Sequence, residues 1–253
     1  MDYTVGASLL SGYLLALSRM AGFVLVAPPF NTRGIPGQAR AATAIAISIP
    51  LSTWTIPGAP ALNDGALATG MLVQLVTGAV LGMLVMLAVA AIQTVGDFID
   101  VAGGFSITAG LDPLGLNQSS VMGRLHQLVA LTLLFIGNGH VIVLQGLARS
   151  FALMPQPDTA LERVARSLTT GLSSMFLGAI QITAPIMGAL LIADIGLGLL
   201  TRAAPALNAF SIAFPLKISL SLLLIGLILS QIPGALNHLI QQAGIGIIQL
   251  SGG

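Results

Sequence analysis

The 253-residue sequence contains no cysteine, which excludes disulfides, thiolate metal sites and thiol chemistry. Charge is almost as scarce. Asp, Glu, Lys and Arg make up 7% of the chain, against about 25% in ordinary soluble domains. No charged residue interrupts the thirty-two positions between Asp64 and Asp97, and none follows Lys217 for thirty-six. Each stretch exceeds the roughly 20 residues a helix needs to cross the hydrocarbon of a bilayer. Hydrophobic residues reach 55% and the mean hydropathy is +0.97, so the chain reads as an integral membrane protein. The nine basic residues balance to a net charge of +1 and form no cluster, which leaves no electrostatic footprint for nucleic acid. Membrane lipids are the expected surroundings.

Six apolar stretches are present, at about 5–27, 41–52, 67–95, 125–147, 168–192 and 213–232. In lipid a segment must satisfy its own backbone, so each predicts a helix; the alternating ten-residue strands of a membrane barrel are absent. Met1-Asp2-Tyr3 supplies no basic start to the first stretch, which predicts a retained first helix rather than a cleaved signal. Pro28-Pro29 closes that helix, Trp54 suits an interfacial anchor, and Pro185 predicts a break in the fifth stretch. No polar linker divides the chain, so residues 1–253 are expected to form a single membrane domain of all-α class.

Charge does not alternate as six independent spans require. Arg33 and Arg40 make the first connection positive and Asp64 makes the second negative. The third then holds Asp97, Asp100 and Asp112, while the fourth mixes Arg149, Arg163 and Arg166 with Asp158 and Glu162. Either acidic residues are weak topological signals, or some helices are hairpins packed inside an assembly.

The third connection is the most unusual part of the sequence. Gly103, Gly104, Gly110, Pro113 and Gly115 break helical structure, yet Phe105, Ile107, Leu111, Leu114 and Leu116 keep it apolar. Irregular backbone at membrane depth is tolerated where protein buries it or where it lines a cavity. Two readings follow: a re-entrant plug in a passage, or an interfacial cover over helix ends.

Other polar residues point to packing. Arg19, inside the first stretch, is expected to meet a partner at a subunit interface; snorkelling and ion conduction are the alternatives. Gly70, Gln74, Gly78 and Gly82 recur every four residues, a stripe that admits a close helix neighbour, with Gln74 able to bond across the seam. His126 and His140, fourteen positions apart, are too distant on one helix to share a metal. Thr159 and Glu162 have capping-box spacing. The segment from Asp194 through Arg202, Pro205, Asn208 and Pro215 reads as a bent connection open to a neighbouring subunit. No phosphate loop, zinc-protease motif or nucleophile elbow occurs, so neither an enzyme nor a cofactor is expected. A proton-coupled or small-solute transporter using Asp97, Asp100 and Asp112 is the functional alternative.

Four stretches together carry a family resemblance. They are Gly22-Phe-Val-Leu-Val-Ala-Pro-Pro-Phe30 with Ile35-Pro36 and Arg40, and the 103–113 loop ending in Asp112-Pro113. The third is Leu134-Phe-Ile-Gly-Asn-Gly-His140 with Ser150-Phe151 and Pro155. The fourth joins Ala193-Asp194, Gly196-Leu197, Arg202, Ala204-Pro205, Asn208, Phe210 and Phe214-Pro-Leu-Lys217. In this order they resemble the FliR family of type III secretion export-gate components. Ala206 departs from it, standing where relatives often carry Gln.

The resemblance implies tilted, partly broken hairpins with a re-entrant central loop, set in a hetero-oligomeric export gate. FliP-like and FliQ-like subunits would be direct neighbours, and FlhB-like and FlhA-like export proteins would lie close by. Unfolded protein substrates would pass through the centre, in the bacterial inner membrane at the flagellar basal body. By the same likeness Gly103, Gly104, Phe105, Ile107, Leu111, Asp112 and Pro113 would form the channel plug. Arg19, Gly78, Gly82, Asp194, Arg202 and Lys217 are assigned to assembly or packing.

Overall fold

The structure, a computed structural model, describes residues 2–32, 34–60, 65–105, 120–154, 161–204 and 209–250. Among them all regular structure is helical: α1 (Asp2–Val26), α2 (Gly37–Thr55), α3 (Gly65–Gly103), α4 (Val121–Ile136), α5 (Gly139–Leu153), α6 (Leu161–Ala203), α7 (Ala209–Leu229) and α8 (Ile232–Leu250). Among the described residues four helices are long and apolar enough to cross a membrane, and a fifth span results if the bent α4–α5 pair counts as one. At about 1.5 Å per residue, the 39 residues of α3 and 43 of α6 exceed the roughly 30 Å hydrocarbon core. Both helices must tilt or project beyond it.

The chain divides into two compact units. One contains Met1–Ala88, Asn138–Ser173 and Ile240–Gly253; the other contains Val89–Gly137 and Ser174–Leu239. In the first, Leu15, Met20, Phe23, Leu81, Val85 and Leu147 are core residues. In the second, Ile92, Val95, Ile99, Leu134, Ile186 and Leu190 are. The spans of α1 and α3 are 56% and 67% buried, whereas those of α6 and α7 are only 22% and 17% buried. Leu172, Phe176, Leu191 and Leu199 on α6, and Leu222, Leu223 and Leu227 on α7, are exposed, a surface stable only against lipid or another apolar body.

Several sequence expectations change. Pro185 does not break the fifth stretch, and Asp194 and Arg202 lie within α6 rather than in a bent connection. Pro215 likewise sits inside α7. Proline costs a helix one backbone bond, but membrane helices tolerate it where neighbouring groups take up the freed carbonyl. The fourth stretch is two helices bent by 72° at Gly137-Asn138, where Asn138 adopts left-handed φ 56°. α8 was not anticipated. Its buried Ile232, Leu236, Leu239, Ile240, Ala243 and Ile247 recur at three- and four-residue steps, a helical stripe legible in the sequence.

Candidate functional site

In the first unit, α1 and α3 approach so closely that glycine is required on both. A Cβ at Gly78 would overlap the Arg19 carbonyl oxygen, one at Gly82 would stand 2.8 Å from the Phe23 carbonyl, and one at Gly22 would overlap the Leu75 carbonyl. The small-residue stripe therefore faces α1 of the same chain. Gly12 makes room for Ile56 beside α2, and Thr55 donates to the Gly12 carbonyl at 2.6 Å.

Arg19 is fully buried at this seam. Its Nε donates to Gln74 Oε1 at 2.6 Å, Nη1 to the Ser150 carbonyl at 2.9 Å and Oγ at 3.3 Å, and Nη2 to the Met154 carbonyl at 2.5 Å. The guanidinium also lies 4.3 Å from the Phe151 ring centroid. All these acceptors are neutral. Ser150 lies in the last turn of α5, its carbonyl also accepting from the amide of the C-cap Met154, and the dipole at this helix end favours a cation. The expected subunit-interface partner is thus corrected: α3 and α5 of the same chain supply the contacts, because one planar fork on α1 can reach two further helices once glycine lets α1 and α3 meet.

The second unit contains the approach to the unusual loop. α3 ends at Gly103, and Gly104 has φ 82°, a left-handed conformation that suits glycine after a helix end. A Cβ at Gly103 would stand 2.5 Å from Ser221 Oγ of α7 and 3.0 Å from the Phe105 ring. Phe105 is partly buried. Ile107, Leu111, Asp112 and Pro113 lie outside the described residues, as does Thr159 of the expected capping box.

The chain re-enters at Ser120, which caps α4 by accepting from the Gly123 amide at 2.8 Å. Asp100, one turn before the end of α3, accepts from the Met122 amide and the Ser120 hydroxyl. It is buried, and its Oδ1 has no partner among the described residues. A Cβ at Gly123 would overlap Asp97 Oδ1, and one at Gly96 would overlap the Met122 carbonyl. Two carboxylates thus lie against the first turn of α4, where backbone amides and the helix dipole favour negative charge. His126 Nδ1 donates to the Met122 carbonyl at 2.8 Å; its Nε2 and Ser221 Oγ have no partner among the described residues.

Asp194 and Lys217 join α6 to α7 through a 2.8 Å ion pair, so each neutralises the other in the same chain. Arg202 lies in the last turn of α6, a favourable place for a cation. Among the described residues no group of three or more His, Cys, Asp or Glu side chains could hold a metal. Sequence reasoning had marked Arg19 and Asp100 but missed their partners Ser150, Met154, Ser120 and Met122, of which three contribute backbone atoms that carry no residue signature.

Residues 10–243 match the family described as bacterial export proteins, family 1. The chain belongs to this family. Flagellar biosynthetic protein FliR of Bacillus subtilis (strain 168) is 30% identical over 222 residues, covering 86% of this chain and 85% of the relative. FliR of Escherichia coli (strain K12) is 29% identical over 241 residues, covering 93% and 90%. Surface presentation of antigens protein SpaR of Salmonella typhimurium is 27% identical over 225 residues, covering 86% and 85%. Both the Arg19 seam and the α3–α4 junction fall within the stretch that matches the bacterial export proteins.

Proposed function

We propose that the chain is a structural and gating component of the flagellar type III protein export channel, passing unfolded flagellar subunits across the bacterial inner membrane at the basal body. The observation that carries this reading is the export-protein family match across residues 10–243. The 30% identity to a flagellar biosynthetic protein favours the flagellar system. FliP-like and FliQ-like subunits are the proposed partners, with FlhB-like and FlhA-like export proteins nearby; the weakly buried α6 and α7 spans offer them apolar surface.

In this reading the segment beginning at Gly103, Gly104 and Phe105 and continuing through Ile107, Leu111, Asp112 and Pro113 seals the resting passage. Apolar side chains exclude water and ions when they close together, and glycines let the backbone yield to a passing chain. The test is deletion of residues 104–111 in the assembled complex, with leakage and export measured separately. The seal predicts leakage of small solutes at rest. An assembled deletion complex that stays tight contradicts it. Loss of activity on replacing Asp97, Asp100 and Asp112 by Asn, with no peptide passage in the intact protein, would instead support a proton-coupled transporter.

A further inference from the structure

In the first unit, α5 and α8 flank a groove of about 300 Å³. Ile142, Gln145 and Arg149 line one side; Gln241, Ile245 and Ile248 line the other. On each helix these positions recur at steps of three and four, so one face of α5 meets one face of α8. Glycines form the floor. A Cβ at Gly244 would stand 3.3 Å from the Ile142 side chain, and one at Gly146 would stand 3.5 Å from Ile247. Residue 142 therefore lies opposite 244 and 146 opposite 247. The helices run parallel, and about 10 Å of groove separates its Ile142 end from its Arg149 end.

This register places Arg149 level with Ile248 at one end, Gln145 midway and Gln241 at the other end. All three side chains are exposed. Among the described residues no carboxylate pairs with Arg149, and neither amide is hydrogen-bonded. A guanidinium on an apolar helix must reach water or an anion, because a cation left alone in hydrocarbon is costly. We propose that the groove binds one monoanionic phospholipid, its phosphate on Arg149, an ester carbonyl within reach of the Gln145 amide, and its acyl chains leaving over Ile245. The planar fork matches two phosphate oxygens, and isoleucine walls suit a ligand that is apolar beyond its head. One cation neutralises one phosphate. A zwitterionic head would add an ammonium beside the guanidinium and bring no net charge to offset it. A carboxylate from a neighbouring subunit would satisfy Arg149 but leave the glycine-floored groove and its amides unfilled.

The experiment uses the full chain purified within its membrane complex, delipidated, and returned to mixed micelles of phosphatidylcholine with phosphatidylglycerol. Either lipid carries a diazirine near its ester groups, and labelled peptides are mapped by mass spectrometry after irradiation. Phosphatidylglycerol is expected to label residues 142–149 and 241–248 in preference to phosphatidylcholine, and excess inorganic phosphate is expected not to displace it. Arg149→Gln should lower that labelling about fivefold, the equivalent of the about 1 kcal/mol that one basic side chain gains from anionic lipid. Arg149→Lys should retain more label than Arg149→Gln. Gly146→Leu, which fills the floor and keeps the charge, should also lose label; if it does not assemble, the exposed Arg149→Gln decides. Wild-type labelling of Arg149→Gln, equal labelling by phosphatidylcholine, or label confined to other segments overturns the proposal. Displacement by inorganic phosphate overturns it in favour of a free anion. No phosphatidylglycerol label in the wild type, with a neighbouring subunit lost from the Arg149→Gln complex, overturns it in favour of a partner carboxylate.

Discussion

Replacing Arg19 with Met removes the buried cation while keeping much of its length and apolar bulk. Four hydrogen bonds and the contact over Phe151 disappear, and the Gln74 oxygen and Met154 carbonyl lose their Arg19 donors. Neutral bonds between membrane helices average only about 0.6 kcal/mol. Bonds to a charged donor are each worth about 1.5–3 kcal/mol, and each buried polar group that loses its partner costs about 1–3 kcal/mol. We expect Arg19→Met to cost about 3–5 kcal/mol, and Gln74→Leu, which leaves the guanidinium one acceptor short, about 1.5–3 kcal/mol. The two are not additive: without Arg19, Gln74 has already lost that bond, so Gln74→Leu costs less there than in the wild-type background. Arg19→Lys should not rescue, since one ammonium cannot span three helices as a planar fork does. Denaturant unfolding of the purified complex in detergent measures all four variants. Additive losses from Arg19→Met and Gln74→Leu, or a wild-type midpoint for Arg19→Met, would refute the three-helix node.

Gly78→Leu or Gly82→Leu should force α1 and α3 apart, costing at least about 1–3 kcal/mol as overpacking does, and reduce recovery of the complex; normal recovery of the double variant would contradict the close seam. Gly104→Ala imposes a side chain at φ 82° and should cost about 1–2 kcal/mol in the unfolding midpoint. At Asn138 in the α4–α5 turn, Gly should be tolerated and Val should lower stability by about 1–2 kcal/mol or more, because a β-branched side chain resists φ 56°. Lys217→Ala strands the Asp194 carboxylate, so recovery from membranes should fall and should return on adding Asp194→Ala; no recovery in the double variant would argue that the pair does more than cancel charge.

Helix class and membrane character were legible because uncharged runs longer than a bilayer admit few other structures. The bend at Asn138 and the continuity of α6 were harder to read. Both turn on how tertiary surroundings treat a helix breaker: Pro185 is absorbed into a helix, while Gly137-Asn138 redirects one. The glycine stripe at 70, 78 and 82 announced a close neighbour, but nothing in its spacing identified that neighbour as α1 of the same chain. Arg19 could be recognised as a buried cation needing partners. Those partners are one amide, one hydroxyl and two main-chain carbonyls, and carbonyls leave no mark in a sequence. Asp100 was noticed as an acid near other acids, which suggested proton chemistry; its geometry instead joins it to the capped start of α4.

A role in export requires the chain to act as one part of a mixed membrane assembly. The direct measurement is mass spectrometry of proteins co-eluting with the tagged full chain, expressed from its native locus and extracted in a mild detergent that preserves known membrane complexes. FliP-like and FliQ-like subunits at fixed ratio to the chain are the predicted result. Recovery of the chain alone, or only with further copies of itself, would contradict it.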